Sequence, residues 1–182
     1  MTQLSYRDNG FTLIELVVVM VILGILAVTA APKFISLAHD SRASTLESIG
    51  GAMASGLQLI HSRAIIDNEQ TGKGLIQIAG VDIPLYNGYP SVRGRDSFPV
   101  QNAQVKAWLD IDAVDRNTAF RNRDAAPFFT DKSSFNNYIY IFFITDYDQK
   151  SKIKCHIRYE NPLVKPESAP KNPVITIETD DC

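Results

Sequence analysis

The most unusual chemical group in this sequence is the carboxylate of Glu15. It is the one charged side chain in FTLIELVVVMVILGILAVTAA, the 21 residues from Phe11 to Ala31. A carboxylate within so apolar a stretch costs several kcal/mol in a bilayer and needs a partner. Two readings are open. If the chain began at Phe11, the new α-amino group of one copy could pair with Glu15 of a neighbour, neutralising both charges in low dielectric. Otherwise Glu15 snorkels towards the headgroups from near the helix end.

The other groups with chemical potential form no constellation. His39, His61 and His156 fall on different predicted elements without ligand spacing, so packed or solvated imidazoles are expected and no metal site. Asp110, Asp112 and Asp115 are spaced like part of a calcium loop but lack the glycine and terminal glutamate of an EF-hand. Gly72-Lys73-Gly74 lacks the upstream glycine and following Ser or Thr of a phosphate loop. No catalytic set and no cofactor are expected, and the chain reads as a non-enzyme. With 18 Lys and Arg against 20 Asp and Glu there is no footprint for a nucleic-acid backbone either.

The element carrying Glu15 is a helix roughly 32 Å long, close to the ~30 Å hydrocarbon thickness of a bilayer. Apolar residues lie on all its sides, as a lipid-embedded or fully buried helix requires. Ten mostly polar residues, MTQLSYRDNG, precede it and end in Gly10. A secretory signal would have its small-residue cleavage site on the far side of the apolar run. Ala27, Ala30 and Ala31 offer only weak options there, whereas cleavage after Gly10 would keep the apolar segment in the mature chain. Gly24 weakens the helix by roughly 1 kcal/mol relative to alanine, and Pro32 predicts a kink where the apolar run ends.

Beyond Pro32 the pattern becomes one-sided. Phe34, Ala38, Leu46, Ile49, Met53, Leu57, Ile60 and Ala64 recur at helical spacing. His39, Asp40, Arg42, Glu47, Gln58 and Arg63 take the opposite face. Gly50, Gly51 and Gly56 would weaken an isolated helix, so close packing is expected to support it. The expected division is therefore 1–10 leader, 11–31 membrane and assembly half of the helix, 32–66 amphipathic half, and 67–182 globular head.

Gly10-Phe11-Thr12-Leu13-Ile14-Glu15 followed by an apolar run resembles the prepilin signature of type IV pilins and of the related pseudopilins of type II secretion. The resemblance implies cleavage between Gly10 and Phe11 by a prepilin peptidase, N-methylation of Phe11, and a role for Glu15 in docking each incoming subunit. It implies that Gly24 and Pro32 bound a stretch able to extend or melt in the filament. Glycine and proline are also simply tolerated in membrane helices. The implied partners are other pilin subunits, as a homopolymer with or without minor pilins, together with the assembly machinery and, before assembly, the inner membrane. The implied location is the bacterial inner membrane with the head in the periplasm, and then an extracellular filament. The leader has only Arg7 as a basic side chain, partly offset by Asp8, so orientation is weakly encoded.

For the head, an α+β type IV pilin fold is expected, with the long helix packed against a small antiparallel sheet. Two short runs about Gly80 predict a hairpin, Tyr86-Asn87-Gly88-Tyr89-Pro90 a turn, and 91–97 an exposed loop. Val100 to Leu109 predicts a short helix packing Val105 and Trp108, and 110–136 a polar connection with little regular pattern. Strands are predicted over 138–145, 152–160 and 174–179, with a turn at 146–151 and a proline-rich loop from Pro162 to Pro173. The 152–160 strand places Ile153, Cys155, Ile157 and Tyr159 on one face. A three- or four-stranded antiparallel meander packed across the second half of the long helix is expected.

An exported head sits in an oxidising compartment, where Cys155 and Cys182 are expected to pair, with a free buried thiol at Cys155 as the alternative. Closing that loop would stabilise the fold by roughly 3.6 kcal/mol. The pairing also resembles the disulfide-bounded loop of the pilin family. The run ELVVVMVILGILAVTAAPKFISL, the YNGYP turn and a last-residue cysteine resemble more narrowly the mannose-sensitive haemagglutinin (MSHA) pilins. That implies a surface pilus for attachment and biofilm formation. A type II secretion pseudopilin and a bitopic receptor with a plain signal anchor are the competing readings. Major pseudopilins generally lack the cysteine pair, which weighs against the first.

Overall fold

The computed structural model describes residues 11–163 and 172–182, and only the backbone at Ala31, Pro32 and Ile35. The predicted leader, Gly10 included, and most of the proline-rich loop lie outside the described residues. The chain divides into two units between Asp40 and Ser41. One helix, α1 (Leu13–Ile66), contributes to both and is unbroken through Gly24 and Pro32.

In the first unit α1 is apolar and exposed. The stretch Leu13–Ala30 is long and apolar enough to cross a membrane. The one-sided pattern expected from residue 34 buries later than predicted, because Phe34 and Ala38 are exposed and the buried stripe starts at Leu46.

The second unit is built around residues 41–66 of α1 and two sheets. The first sheet, ordered β1-β2-β3, comprises β1 (Lys73–Ile78), β2 (Val81–Tyr86) and β3 (Tyr89–Pro90). Ala79 and Gly80 turn the first hairpin, and Asn87 and Gly88 the second, all four at positive φ. Asn-Gly favours that geometry, whose twist matches the flanking strands. Gly88 is doubly constrained, since a Cβ there would lie 2.6 Å from His61 Nδ1. The turn thus presses on α1, and His61 stacks on Tyr89 with ring centres 4.3 Å apart.

After the loop 91–97 come α2 (Phe98–Lys106), β4 (Ala113–Asp115), α3 (Arg116–Arg121), β5 (Phe128–Ser133) and β6 (Tyr138–Phe143). A 3-10 turn (Ile144–Gln149), β7 (His156–Glu160) and β8 (Val174–Glu178) complete the chain. The second sheet has order β4-β5-β6-β7-β8. All its pairs are antiparallel except β4 with β5, which run parallel across the α3 crossover.

The fold is α+β, as expected, but the described residues form eight strands in two sheets where a hairpin and a three- or four-stranded meander were predicted. The difference lies mostly in residues 110–136, expected to be a polar connection. Asp115 explains how α3 forms there. Its Oδ1 accepts from the amides of Asn117 (2.9 Å) and Thr118 (3.3 Å), and its Oδ2 from the Thr118 hydroxyl (2.6 Å). An acidic N-cap of this kind favours a helix start where the chain leaves β4. β5 escaped prediction because Thr130, Asp131 and Lys132 are polar within the sheet. Thr130 gives its hydroxyl to Asn102 Oδ1 (3.0 Å), and Asp131 lies between Arg116 and Lys150.

Leu46, Met53 and Leu57 of α1 pack with Val105, Ile141 and Ile157 in the main core. Ile60 and Ala64, one and two turns past Leu57, cover Ile76, Ile83 and Leu85 of the first sheet. The same helix therefore serves both sheets. A Cβ at Gly50 would meet Ile177 at 2.4 Å, and one at Gly56 the Trp108 carbonyl at 2.9 Å, whereas Gly51 faces open space. Arg42, expected on the solvent face, instead pairs with Asp146 and lies 4.1 Å over the Phe143 ring. Its long side chain reaches round the helix to a carboxylate that is itself buried.

Two buried asparagines join the sheets. Asn161 Nδ2 donates to the carbonyls of Tyr86 (3.0 Å), Tyr89 (3.2 Å) and Pro90 (3.0 Å). Asn137 Nδ2 donates to the Asn161 carbonyl (2.6 Å), and its Oδ1 accepts from the Val92 amide (2.6 Å). Tyr159, fully buried, donates its hydroxyl to the Pro90 carbonyl at 2.9 Å, and burial holds that phenol well above the ordinary tyrosine range. Carbonyls on both sides of the β2-β3 turn thereby gain side-chain donors.

Replacing Asn161 by alanine should cost about 2–3 kcal/mol, since buried carbonyls lose their donor. Exposed Asn136→Ala should cost under about 0.5 kcal/mol. Urea unfolding of the full chain in detergent measures both.

His156 gives a second test. Burial lowers its pKa from 6.5, with Glu178 opposing the shift and Arg158 adding to it. The folded state then favours neutral imidazole, so this contribution is complete above about pH 6.5 and is lost as pH falls through the lower folded value. Stability profiles of wild type and His156→Gln should converge on going from pH 7 to pH 5. Parallel profiles would refute this.

Candidate functional site

At the start of α1 the sequence Thr12-x-x-Glu15 builds a reciprocal cap. Glu15 Oε2 accepts from the Thr12 amide (2.8 Å) and hydroxyl (2.7 Å), while the Glu15 amide donates to Thr12 Oγ1 at 3.3 Å. This is a capping box, in which the N-cap and the third helical residue satisfy each other's free backbone donors. The pattern of a Thr followed three residues later by a Glu ahead of an apolar run is readable from sequence, and the reading above missed it. Glu15 therefore has local hydrogen-bond partners as well as any intermolecular one.

Phe11 lies one residue before this cap and is exposed, as are the large side chains Leu13, Ile14 and Leu16 to Leu26 behind it, Glu15 and Gly24 aside. A Cβ at Gly24 would meet nothing within 4 Å, so no contact inside the chain requires glycine there. Phe11 and Glu15 are brought together at the helix start. Gly24 lies on the same helix two to three turns on, and Pro32 lies beyond it.

The cysteines form a separate feature at the other end of the chain. Cys155 and Cys182 are bonded, with Cα atoms 4.8 Å apart. Cys155 is fully buried and sits just before β7 rather than within it as predicted. The tail is also held by a two-way clasp, in which the Asp181 amide donates to the Lys154 carbonyl (3.1 Å) and the Lys154 amide to Asp181 Oδ2 (2.9 Å). Arg42 Nη2 approaches Cys155 Sγ at 3.5 Å, tying this corner to α1.

The histidines stay apart, with His61 on Tyr89 and His156 against Tyr140 and Phe142. Asp115 is spent on the α3 cap. Among the described residues no group of three His, Cys, Asp or Glu side chains is placed to hold a metal ion.

Residues 6–31 match the family described as the prokaryotic N-terminal methylation motif. The chain is also 41% identical over 49 residues to the type IV narrow pilus major component PilA5 of Thermus thermophilus, covering 27% of this chain and 42% of that protein. It is 45% identical over 66 residues to the type IV major fimbrial protein FimA of Dichelobacter nodosus, covering 36% of each. These matches support a type IV pilin precursor. The chain spans well under half the length of these curated relatives. No solved structure matches it. The family match includes the capped Thr12–Glu15 start and most of the exposed apolar run, so geometry and similarity converge on one segment.

Cys182→Ser, or reduction of the wild type, should lower stability by roughly 3.6 kcal/mol, the loop-closure term for the bonded segment. Urea titration with and without reductant measures the loss. Amide exchange should quicken in β8 and the tail while α1 near Arg42 keeps its protection.

Proposed function

We propose that this chain is a structural subunit of a type IV pilus that polymerises through its N-terminal helix. The observation carrying the proposal is an apolar helix, exposed on all sides, that opens on a single capped carboxylate. Such a surface is not stable in water and calls for lipid first and neighbouring helices afterwards. The matched methylation motif supports removal of residues 1–10 by a prepilin peptidase, with cleavage between Gly10 and Phe11 and methylation of the new Phe11 amine.

In this reading the precursor crosses the inner membrane once, with its head in the periplasm, and the assembly machinery transfers it to an extracellular filament. The Phe11 amine of one subunit meets Glu15 of another, so that neither charge stays isolated in the packed stems. Gly24 and Pro32 let the helix extend between them, and the Cys155–Cys182 bond secures the exported head. The part played is structural, with no enzymatic role. The MSHA-like resemblance supports surface attachment and biofilm formation as the pilus's use.

Mass spectrometry of the mature protein should find a chain starting at methylated Phe11. Glu15→Ala should keep its membrane level within about twofold yet lower filament yield by more than about tenfold, as expected for loss of a desolvated charge pair. An intact leader, or normal filaments from that variant, overturns the proposal. Short membrane-bound assemblies in place of long sheared filaments would favour a secretion pseudopilin.

A further inference from the structure

The face of the second sheet turned away from α1 carries an ordered set of charged and aromatic side chains. Strand register sets Asp131, Tyr140, Arg158 and Thr176 abreast on β5 to β8. In the next row, Phe142 is paired with His156 and His156 with Glu178. Arg116, at the start of α3, and Lys150, just past the 3-10 turn, each reach Asp131 at 3.5 Å from opposite sides. All of these residues except Thr176 line a cleft of about 420 Å³. That is within the ~300–1,000 Å³ of small-molecule sites.

The pilin reading leaves this cleft without a role, and its chemistry is specific. Asp131 answers one of its two flanking cations, so a positive charge remains between Arg116 and Lys150. Arg158 lies 5.3 Å over the Tyr138 ring but is weakly hydrogen-bonded, since Nη2 has a long bond to Thr176 Oγ1 (3.5 Å) and Nε is buried with no hydrogen-bond partner. Glu178 supplies an acceptor at the rim. Tyr140 is half-buried, with Phe142 stacked beside it at 5.7 Å. Burial raises the Tyr140 pKa, so its hydroxyl is neutral and can donate.

Three ligand classes can be compared against this set. A polyphosphate chain wants a run of uncompensated cations, but here carboxylates interleave with them, and the whole chain has a net charge of -2. A wholly apolar ligand would strand Arg158 and Lys150 without water. A sugar ring with a carboxylate meets every group. Its apolar face lies on an aromatic side chain, its hydroxyls need both acceptors and donors, and its carboxylate takes charge-assisted bonds.

We propose that this cleft binds an acidic saccharide, a carboxylated pyranose resting on Tyr140 with its carboxylate on Arg158 and its hydroxyls on Glu178, and with the carboxylate of a neighbouring sugar on Lys150. The cleft lies entirely within residues 41–182 and is tested on unassembled protein, so the result does not depend on filament formation.

The experiment is calorimetric titration of the full chain in detergent with trigalacturonate, and with the neutral trisaccharide galactotriose as comparison. Trigalacturonate should bind at least about tenfold more tightly than galactotriose, and Arg158→Gln should remove most of that difference, as loss of one charge-assisted bond implies. Tyr140→Leu should weaken both sugars by about fivefold or more, as loss of an aromatic contact implies. If Tyr140→Leu fails to fold by circular dichroism, Lys150→Gln replaces it and should weaken trigalacturonate alone. Arg63→Gln, remote on α1, should change nothing. The proposal is overturned by wild type that shows no trigalacturonate binding up to about 10 mM, by equal affinity for the two sugars, by folded cleft variants that bind like wild type, or by tighter binding of a single-stranded oligonucleotide.

Discussion

The constraint on which the rest depends is the need of one helix face after another to leave water. Between Leu13 and Leu26 a dozen large apolar side chains are exposed. At about 1.5–3 kcal/mol for each fully buried side chain, removing them from water is worth on the order of 20 kcal/mol. The carboxylate of Glu15 opposes this by only several kcal/mol. The apolar term is therefore the larger, and it favours lipid or other helices over water for this segment whatever becomes of Glu15. In the proposed assembly the acid would bear on how such helices associate, not on whether they leave water.

Past Asp40 the same helix solves a different problem. Its stripe from Leu46 to Ala64 is narrow enough to be covered by two sheets of its own chain, and glycines at 50 and 56 let Ile177 and Trp108 approach the backbone. A side chain at either glycine would force its neighbour to move. The first sheet has only a short third strand, and small sheets of this kind are marginal alone. Packing on Ile60 and Ala64 and the donors of Asn161 supply what its strands lack. The second sheet is wider, is covered on one face by α1 and α2, and has Ala119 of α3 packed on the other with Phe129 and Phe142.

Legibility in the sequence followed the strength of these physical signals. An apolar run with one acid cannot be mistaken for a loop, and the Ile157–Tyr159 alternation showed its strand at once. The sequence reading gave Gly80 and Asn87-Gly88 as turns because positive φ restricts residue type so strongly. What stayed hidden was stabilised by polar contacts with distant partners. Asp131 in β5 reads as a loop residue until Arg116 and Lys150 are beside it, and Asn161 reads as the end of a strand until three carbonyls converge on it. Arg42 was placed on the wrong face because helical periodicity marks where Cβ points and not how far a guanidinium reaches. The Thr12–Glu15 cap was legible and overlooked, since Glu15 had been read only through its charge.

That cap changes what the acid can do. Both Thr12 donors fall on Oε2, and a carboxylate has about four acceptor positions, so Oε1 remains for another donor. In the proposed assembly a neighbour's amine would add to the cap without displacing it. The cap also restricts the carboxylate to one direction at the helix start before any neighbour arrives, reducing the side-chain entropy to be lost on pairing. A glutamate three residues after a hydroxyl-bearing N-cap is thus a fixed acceptor, whereas an acid elsewhere in the apolar run would be a free rotor. In that proposed contact Thr12 would be a positioning residue, through the same two hydrogen bonds by which it caps the helix.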